Sequence, residues 1–278
     1  MTLAVAWVRR IQDCEELVVA SDSRLSGGRN LDSCAKIFSL PRSDSFLCCA
    51  GDTTITYPLL MQMVTAIGIF EKSRDRSLDV RHLRGHLMKI LNTAIAGVST
   101  PIRELRYPER FTEFLFGGYS WIEKRFKIWR FSYSIPRRCF VHSPAQPWAN
   151  GRAAILFAGD WQYEARRRLV LLLRHRDGIT PRIKANFVMD WQPFEVLRDL
   201  LREHATDRTV SIGGAPQIMK VYQHMNCRPI GVFWPAKDGG KMTVAGRTLQ
   251  GYEKPMCWMM DPDTFVTSHS YYTEGGAA

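Results

Sequence analysis

Short apolar runs are grouped in blocks along this chain and do not alternate with helical patterns. That grouping is the strongest constraint on its fold. A first block holds Leu3–Val8, Leu17–Ala20, Ile37–Leu40 and Ser45–Ala50, each of strand length and separated by polar or turn residues. The period then changes. Residues Thr54–Phe70 are long, apolar and rich in Leu and Met, which predicts a mostly buried helix with Pro58 in its first turn. Asp79 reads as the N-cap of a second helix, with Leu83, Leu87, Ile90 and Ala94 on one stripe and Gly97 as its stop. Strand patterns return at Glu113–Gly117, Phe126–Tyr133, Cys139–His142 and Ala153–Ala158. Helices are expected from Trp161 to about His175 and from Trp191 to about Ala205, before strands at Gln217–Gln223, Pro229–Trp234 and Met242–Leu249. Alternating strands and helices would imply a parallel sheet; blocks imply antiparallel sheets with helices packed outside. With no repeat or linker in view, residues 1–254 read as one domain and 255–278 as a tail that frays at its Gly-Gly-Ala-Ala end.

Composition narrows the function classes. Across 278 residues, 45% are hydrophobic and 23% charged, which excludes wholesale disorder and allows a sizeable core. No run of about 18 apolar residues occurs, so no membrane-spanning helix is expected. The start, MTLAVAWVRR, has no basic region before its apolar run and is not read as a signal peptide. The seven cysteines are odd in number and form no CxxC pair, which argues against a disulfide framework or zinc module and suits a reducing cytoplasm. No GxGxxG or P-loop is present, and His82 and His86 enclose Leu-Arg-Gly with no glutamate between them, so neither a cofactor nor a metal is expected. The net charge of +11 is concentrated: Arg103 to Lys184 holds 17 basic and 7 acidic residues, a net +10. Such a span could meet an acidic partner, nucleic acid included, or simply form a solvated arginine-rich surface; with no nucleic-acid motif beside it, nucleic acid is the less favoured partner.

Thr2 opens directly into the first apolar run. If Met1 is removed, its hydroxyl and its own α-amine share one residue. An α-amine titrates near 7.7–8.0, a range suited to a general base at neutral pH. A hydroxyl activated by its own amine is an established nucleophile design.

Four ordered segments surround this terminus: Thr2-Leu-Ala-Val-Ala, then Val18-Val-Ala-Ser-Asp22-Ser-Arg24, then Cys34-Ala-Lys36-Ile37, then Cys49-Ala50-Gly51-Asp52 before a helix. Together they resemble the opening of proteasome β-type subunits and of the HslV-like peptidases, which are N-terminal nucleophile hydrolases. The resemblance is clearest over residues 2–70 and looser through Phe116-Gly-Gly, Phe157-Ala-Gly159 and Ser211-Ile-Gly213-Gly214, to about Trp234. It implies a four-layer αββα sandwich and a threonine-type peptidase. Thr2 would be nucleophile and base, and Lys36 a cation stabilising the developing alkoxide. Asp22 would orient Lys36, Arg24 would brace that loop, and the Gly51 N–H would be an oxyanion donor. Asp207 and Ser211 would be candidates for the second acidic and hydroxyl partners near the α-amine. The resemblance also implies a homo-oligomeric ring, a peptide or protein substrate and an ATPase unfoldase as a possible partner.

The chain departs from the family pattern in places. A polar insert, Ile11–Glu16, lengthens the first hairpin, and Ala158 stands where the family has the serine of a Gly-Ser-Gly turn. Thr209-Val-Ser211-Ile-Gly213-Gly214 replaces an Asp-x-x-Ser-Gly-Gly pattern, which leaves the acidic partner unplaced. Met1 alone precedes Thr2, as expected of the HslV-like branch. Alternatives are a silent proteasome-like subunit, a small-substrate amidase, or a scaffold or nucleic-acid-binding protein using residues 103–184.

Overall fold

Side chains alternate across the first strand, β1 (Ala4–Ile11), and so contribute to two separate cores: Val5 and Trp7 join one apolar cluster, Ala4 and Ala6 another. This is the period-two signature of a strand buried on both faces. The structure is a computed structural model; it describes residues 2–26, 30–98, 112–147, 154–177 and 189–269. Met1, the Gly27-Gly28 turn, parts of the basic span and the C-terminal Gly-Gly-Ala-Ala lie outside the described residues.

After β1 come β2 (Cys14–Ser21), β3 (Leu25–Ser26), β4 (Asn30–Leu31), β5 (Ile37–Leu40) and β6 (Arg42–Gly51). Helices α1 (Thr53–Ile69), α2 (Glu71–Arg74) and α3 (Val80–Ala96) follow, then β7 (Thr112–Ser120), β8 (Arg125–Ser134), β9 (Cys139–Pro144), β10 (Gln146–Pro147) and β11 (Ala154–Ala158). Helices α4 (Gln162–Asp177) and α5 (Gln192–Glu203) lead to β12 (Gln217–Tyr222), β13 (Cys227–Trp234), β14 (Lys241–Val244), β15 (Arg247–Thr248), β16 (Trp258–Met260) and β17 (Thr267–His269).

The larger sheet has ten strands, in the order β10-β11-β1-β2-β12-β13-β14-β15, with β16 added parallel to β13 and β17 paired to β16. The smaller has five, in the order β5-β6-β7-β8-β9, all antiparallel. Between the sheets lie Ala4, Ala6, Leu17, Val19, Phe46, Cys48 and Leu115. Residues of α4 and α5 close over Leu3, Val5 and Trp7, while those of α1 and α3 close over Leu47, Phe114 and Phe116.

The expected four-layer αββα sandwich is corrected. Strand accounts for 38% and helix for 28% of the described residues, so large antiparallel sheets dominate and helices are few. The reason lies partly at the C-terminal end. Residues expected as a tail from Pro255 instead contribute β16 and β17, and Met259 and Met260 are fully buried, so apolar side chains there extend the larger sheet. The polar insert of the first hairpin is likewise strand: Arg9 pairs Glu16, Arg10 pairs Glu15 and Ile11 pairs Cys14, leaving a two-residue turn with Gln12 at φ 54°. Residues 242–249 divide into β14 and β15 around a turn at Ala245 and Gly246, both at positive φ. Pro58 is the sixth residue of α1, which begins at Thr53, so it lies in the second turn and not in the first. In α3 the buried stripe is Leu83, Leu87, Leu91 and Ile95, a strict four-residue spacing, so Ile90 and Ala94 sit beside it. No helix among the described residues is long and apolar enough to cross a membrane.

Candidate active site

Antiparallel pairing of β1 with β2 sets Ala4 opposite Ser21, which brings the residues just beyond, Leu3 and Asp22, side by side. The Leu3 N–H donates to Asp22 Oδ1 at 3.1 Å and the Asp22 N–H to the Leu3 carbonyl at 3.2 Å. Lys36 enters from the start of the smaller sheet, where its carbonyl accepts the Cys49 N–H at 2.9 Å. Its Nζ donates to Thr2 Oγ1 at 2.7 Å and to Asp22 Oδ1 at 2.8 Å. The Lys36 side chain is 1% exposed and that of Asp22 is fully buried. Isolated charges at such depth are expensive; paired and hydrogen-bonded they persist. Burial pushes the Asp22 carboxyl up from its ordinary value, while the Lys36 ammonium and the N–H groups of Leu3 and Arg24 pull it back.

The residue that sequence reading left unplaced, the acid facing the Thr2 nitrogen, is Asp160. Its Oδ1 accepts from Thr2 N at 2.9 Å, and its Oδ2 accepts from the Ser211 hydroxyl at 2.8 Å. Ser211 in turn accepts from the Trp161 indole N–H at 3.0 Å. Thr2, Asp160, Ser211 and Trp161 therefore form one hydrogen-bonded chain that runs between β1, the β11–α4 turn and the segment before β12. Gly159 makes the approach possible: its φ is +91°, and a Cβ there would lie 1.9 Å from the Thr2 carbonyl oxygen, so only glycine fits. A usable signal was present in the sequence, since Asp160 directly follows the Gly159 turn.

Arg24 braces the site without entering it. Its guanidinium forks onto Asp32, with Nε 2.6 Å from Oδ1 and Nη2 3.0 Å from Oδ2. Its Nη1 donates to the carbonyls of Asp207 and Val210 at 2.7 and 3.0 Å. Asp207 is thus placed elsewhere than expected. Its carboxylate caps its own loop, accepting from the Thr209 N–H and hydroxyl at 2.8 and 2.6 Å, and only its carbonyl reaches Arg24. Gln217 escaped sequence reading altogether. Buried, it accepts the Lys36 N–H at 2.9 Å and donates to the carbonyls of Asp22 and Cys34 at 3.0 and 2.8 Å, tying the two charged segments together.

Gly51 ends β6 at φ +118° and lines a cleft of about 350 Å³ with Ala50, Glu113, Gly159, Asp160, Gln162 and Tyr163. Glu113 Oε2 accepts the Gly159 N–H at 2.9 Å. Burial pushes the Glu113 carboxyl up, and the Asp160 charge adds to that, against the Gly159 N–H and Arg130. A larger hollow of about 1030 Å³ lies along β13 and β14, but it contains no member of the Thr2–Lys36 constellation. The cysteines near the site are poor nucleophiles. All seven are free, and burial pushes Cys49 up to about 12 and Cys48 up as well, holding both as thiols. Within the described part of the basic span, many cations face carboxylates: Arg125 and Lys127 meet Glu123, Arg167 and Arg168 meet Glu164, and Arg176 meets Glu195.

No protein-family model matches the chain, and a search of curated proteins finds no significant relative.

Proposed function

We propose that this protein is a threonine-type N-terminal nucleophile hydrolase that cleaves peptide bonds once the Met1–Thr2 bond is broken. One observation carries the reading: a buried ammonium lies 2.7 Å from Thr2 Oγ1 while a carboxylate oxygen lies 2.9 Å from Thr2 N. A free Thr2 amine held by Asp160 takes the proton from its own hydroxyl, directly or through one water, as Oγ attacks the substrate carbonyl. Lys36 lowers the energy of the developing alkoxide, and Asp22, hydrogen-bonded to its Nζ, keeps it aimed. The Gly51 N–H is the candidate donor to the oxyanion, since Gly51 lines the same cleft as Asp160. Collapse of the tetrahedral adduct breaks the carbon–nitrogen bond, and the amine passes its proton to the leaving nitrogen. An ester on Thr2 remains. Water, deprotonated by the same amine, hydrolyses it and restores the hydroxyl. The free cysteines suit a reducing cytoplasm.

The test is intact-mass measurement of the purified protein followed by reaction with a peptide vinyl sulfone. A mass lacking Met1 and a single adduct on Thr2, abolished by Thr2→Ala in a folded protein, supports the reading. Peptide hydrolysis retained by Thr2→Ala would overturn it.

A further inference from the structure

The cleft beside Asp160 has a definite place in such a reaction. The proton delivered to the leaving nitrogen comes from the Thr2 amine, and that amine sits on Asp160 Oδ1. The leaving nitrogen must therefore come within hydrogen-bond reach on the same side, where the cleft between Gly51, Gly159 and Tyr163 opens. The cleft walls then meet the part of the substrate that departs.

Those walls are acidic. Asp160 is engaged at both oxygens, by Thr2 N and the Ser211 hydroxyl. Glu113 is engaged at Oε2 only, by the Gly159 N–H. Among the described residues its Oε1 accepts no hydrogen bond. The nearest cation is Arg130 Nη1, 3.8 Å away, which instead donates to Gln162 Oε1 at 3.0 Å. Glu113 thus lines the cleft with an acceptor that takes no hydrogen bond from the described residues, and Tyr163, which also lines it, is 79% exposed, within reach of a long cationic side chain entering there. Glu113 and Asp160 repel one another across this space. A positive charge between them removes that repulsion; a second negative charge adds to it.

We infer that this cleft is the leaving-group subsite and that Glu113 makes it selective for a basic residue directly after the scissile bond. The inference rests on the hydrolase reading above and adds the substrate class to it.

Internally quenched peptides that differ only at the first residue after the scissile bond, lysine, alanine or glutamate, test it on protein with a free Thr2 amine. The expected result is about tenfold higher kcat/KM with lysine than with glutamate, from attraction in one case and like-charge repulsion in the other. Glu113→Gln, which keeps an acceptor for the Gly159 N–H, should bring the ratio to within about threefold, and Glu113→Lys should invert it. Vinyl sulfone labelling of Thr2 in each variant shows that the site is still assembled, since that reagent places no leaving group in the cleft. Labelling of Thr2 with no lysine preference, or with a preference indifferent to Glu113→Gln, overturns the inference and leaves the hydrolase reading standing. Absence of labelling and hydrolysis in the parent overturns both.

Discussion

Replacing Lys36 by methionine keeps an unbranched stem of similar length and removes the ammonium. Asp22 is then a fully buried carboxylate whose remaining donors are the N–H groups of Leu3, Arg24 and Gly213, at 3.1, 3.1 and 3.2 Å. Breaking a buried pair by removing one partner costs about 3–5 kcal/mol. These three amides already solvate the carboxylate, so the lower half of that range applies. At roughly 2–4 °C per kcal/mol for a domain of this size, Lys36→Met should melt about 6–16 °C below the parent at pH 7. The loss depends on pH with a definite sign. Without the cation, burial raises the Asp22 carboxyl further above its ordinary value. A carboxyl raised in the folded state favours folding below its unfolded value, and that benefit is lost as pH rises through the folded one. The gap between variant and parent should therefore narrow as pH falls towards about 4. Asp22→Asn in the Lys36→Met background removes the stranded charge and should recover much of the loss. Thermal melts of the parent, both single variants and the double variant, from pH 4 to 8, measure all of this. A Lys36→Met protein that melts within about 2 °C of the parent at pH 7, or a double variant no more stable than Lys36→Met, would show that the pair does not carry the charge balance assigned to it.

Asp160→Asn keeps the shape but removes the charge that holds a free Thr2 amine. A hydrogen bond to a charged group contributes about 1.5–3 kcal/mol, so kcat should fall about 10- to 150-fold with KM nearly unchanged, as read by peptide hydrolysis kinetics. Asp79 caps α3 through the Arg81 N–H at 2.9 Å and accepts the Ser120 hydroxyl at 2.9 Å. Burial alone would raise this carboxyl, but the Arg81 N–H, the Ser120 hydroxyl and the Ile122 N–H outweigh it and hold it below its ordinary value. Its contribution is thus present above the unfolded carboxylate value and lost as pH falls through the folded one. Urea denaturation should find Asp79→Asn about 1 kcal/mol less stable at pH 7, with the difference shrinking progressively as pH falls below about 4.

Much of the candidate site was legible because its residues lie in short local patterns. Thr2 heads an apolar strand, Asp22 and Arg24 follow another, and Lys36 precedes a third; the structure brings the side chains of Thr2 and Asp22 within hydrogen-bond reach of Lys36 Nζ. Asp160 was missed because the acid was sought in the segment before β12, where Asp207 offers a carboxylate. That carboxylate is consumed by the hydroxyl and N–H of Thr209 two residues on, a local bond that competes with any distant role. Gln217 was missed because a lone glutamine in an apolar strand carries no signal until its carboxamide is seen to join two chain segments. The C-terminal strands were missed because Met259 and Met260 belong to a short run whose partner, β13, no local pattern names.

Periodicity, caps and apolar runs by themselves determined where most strands and helices lie, since backbone geometry repeats every two or 3.6 residues and leaves its mark on neighbouring positions. Only the tertiary structure decided which carboxylate meets which nitrogen and how far each sheet extends. Those pairings are set between residues as far apart as Thr2 and Asp160, by the packing of separate elements and by a glycine with no side chain to hold them off.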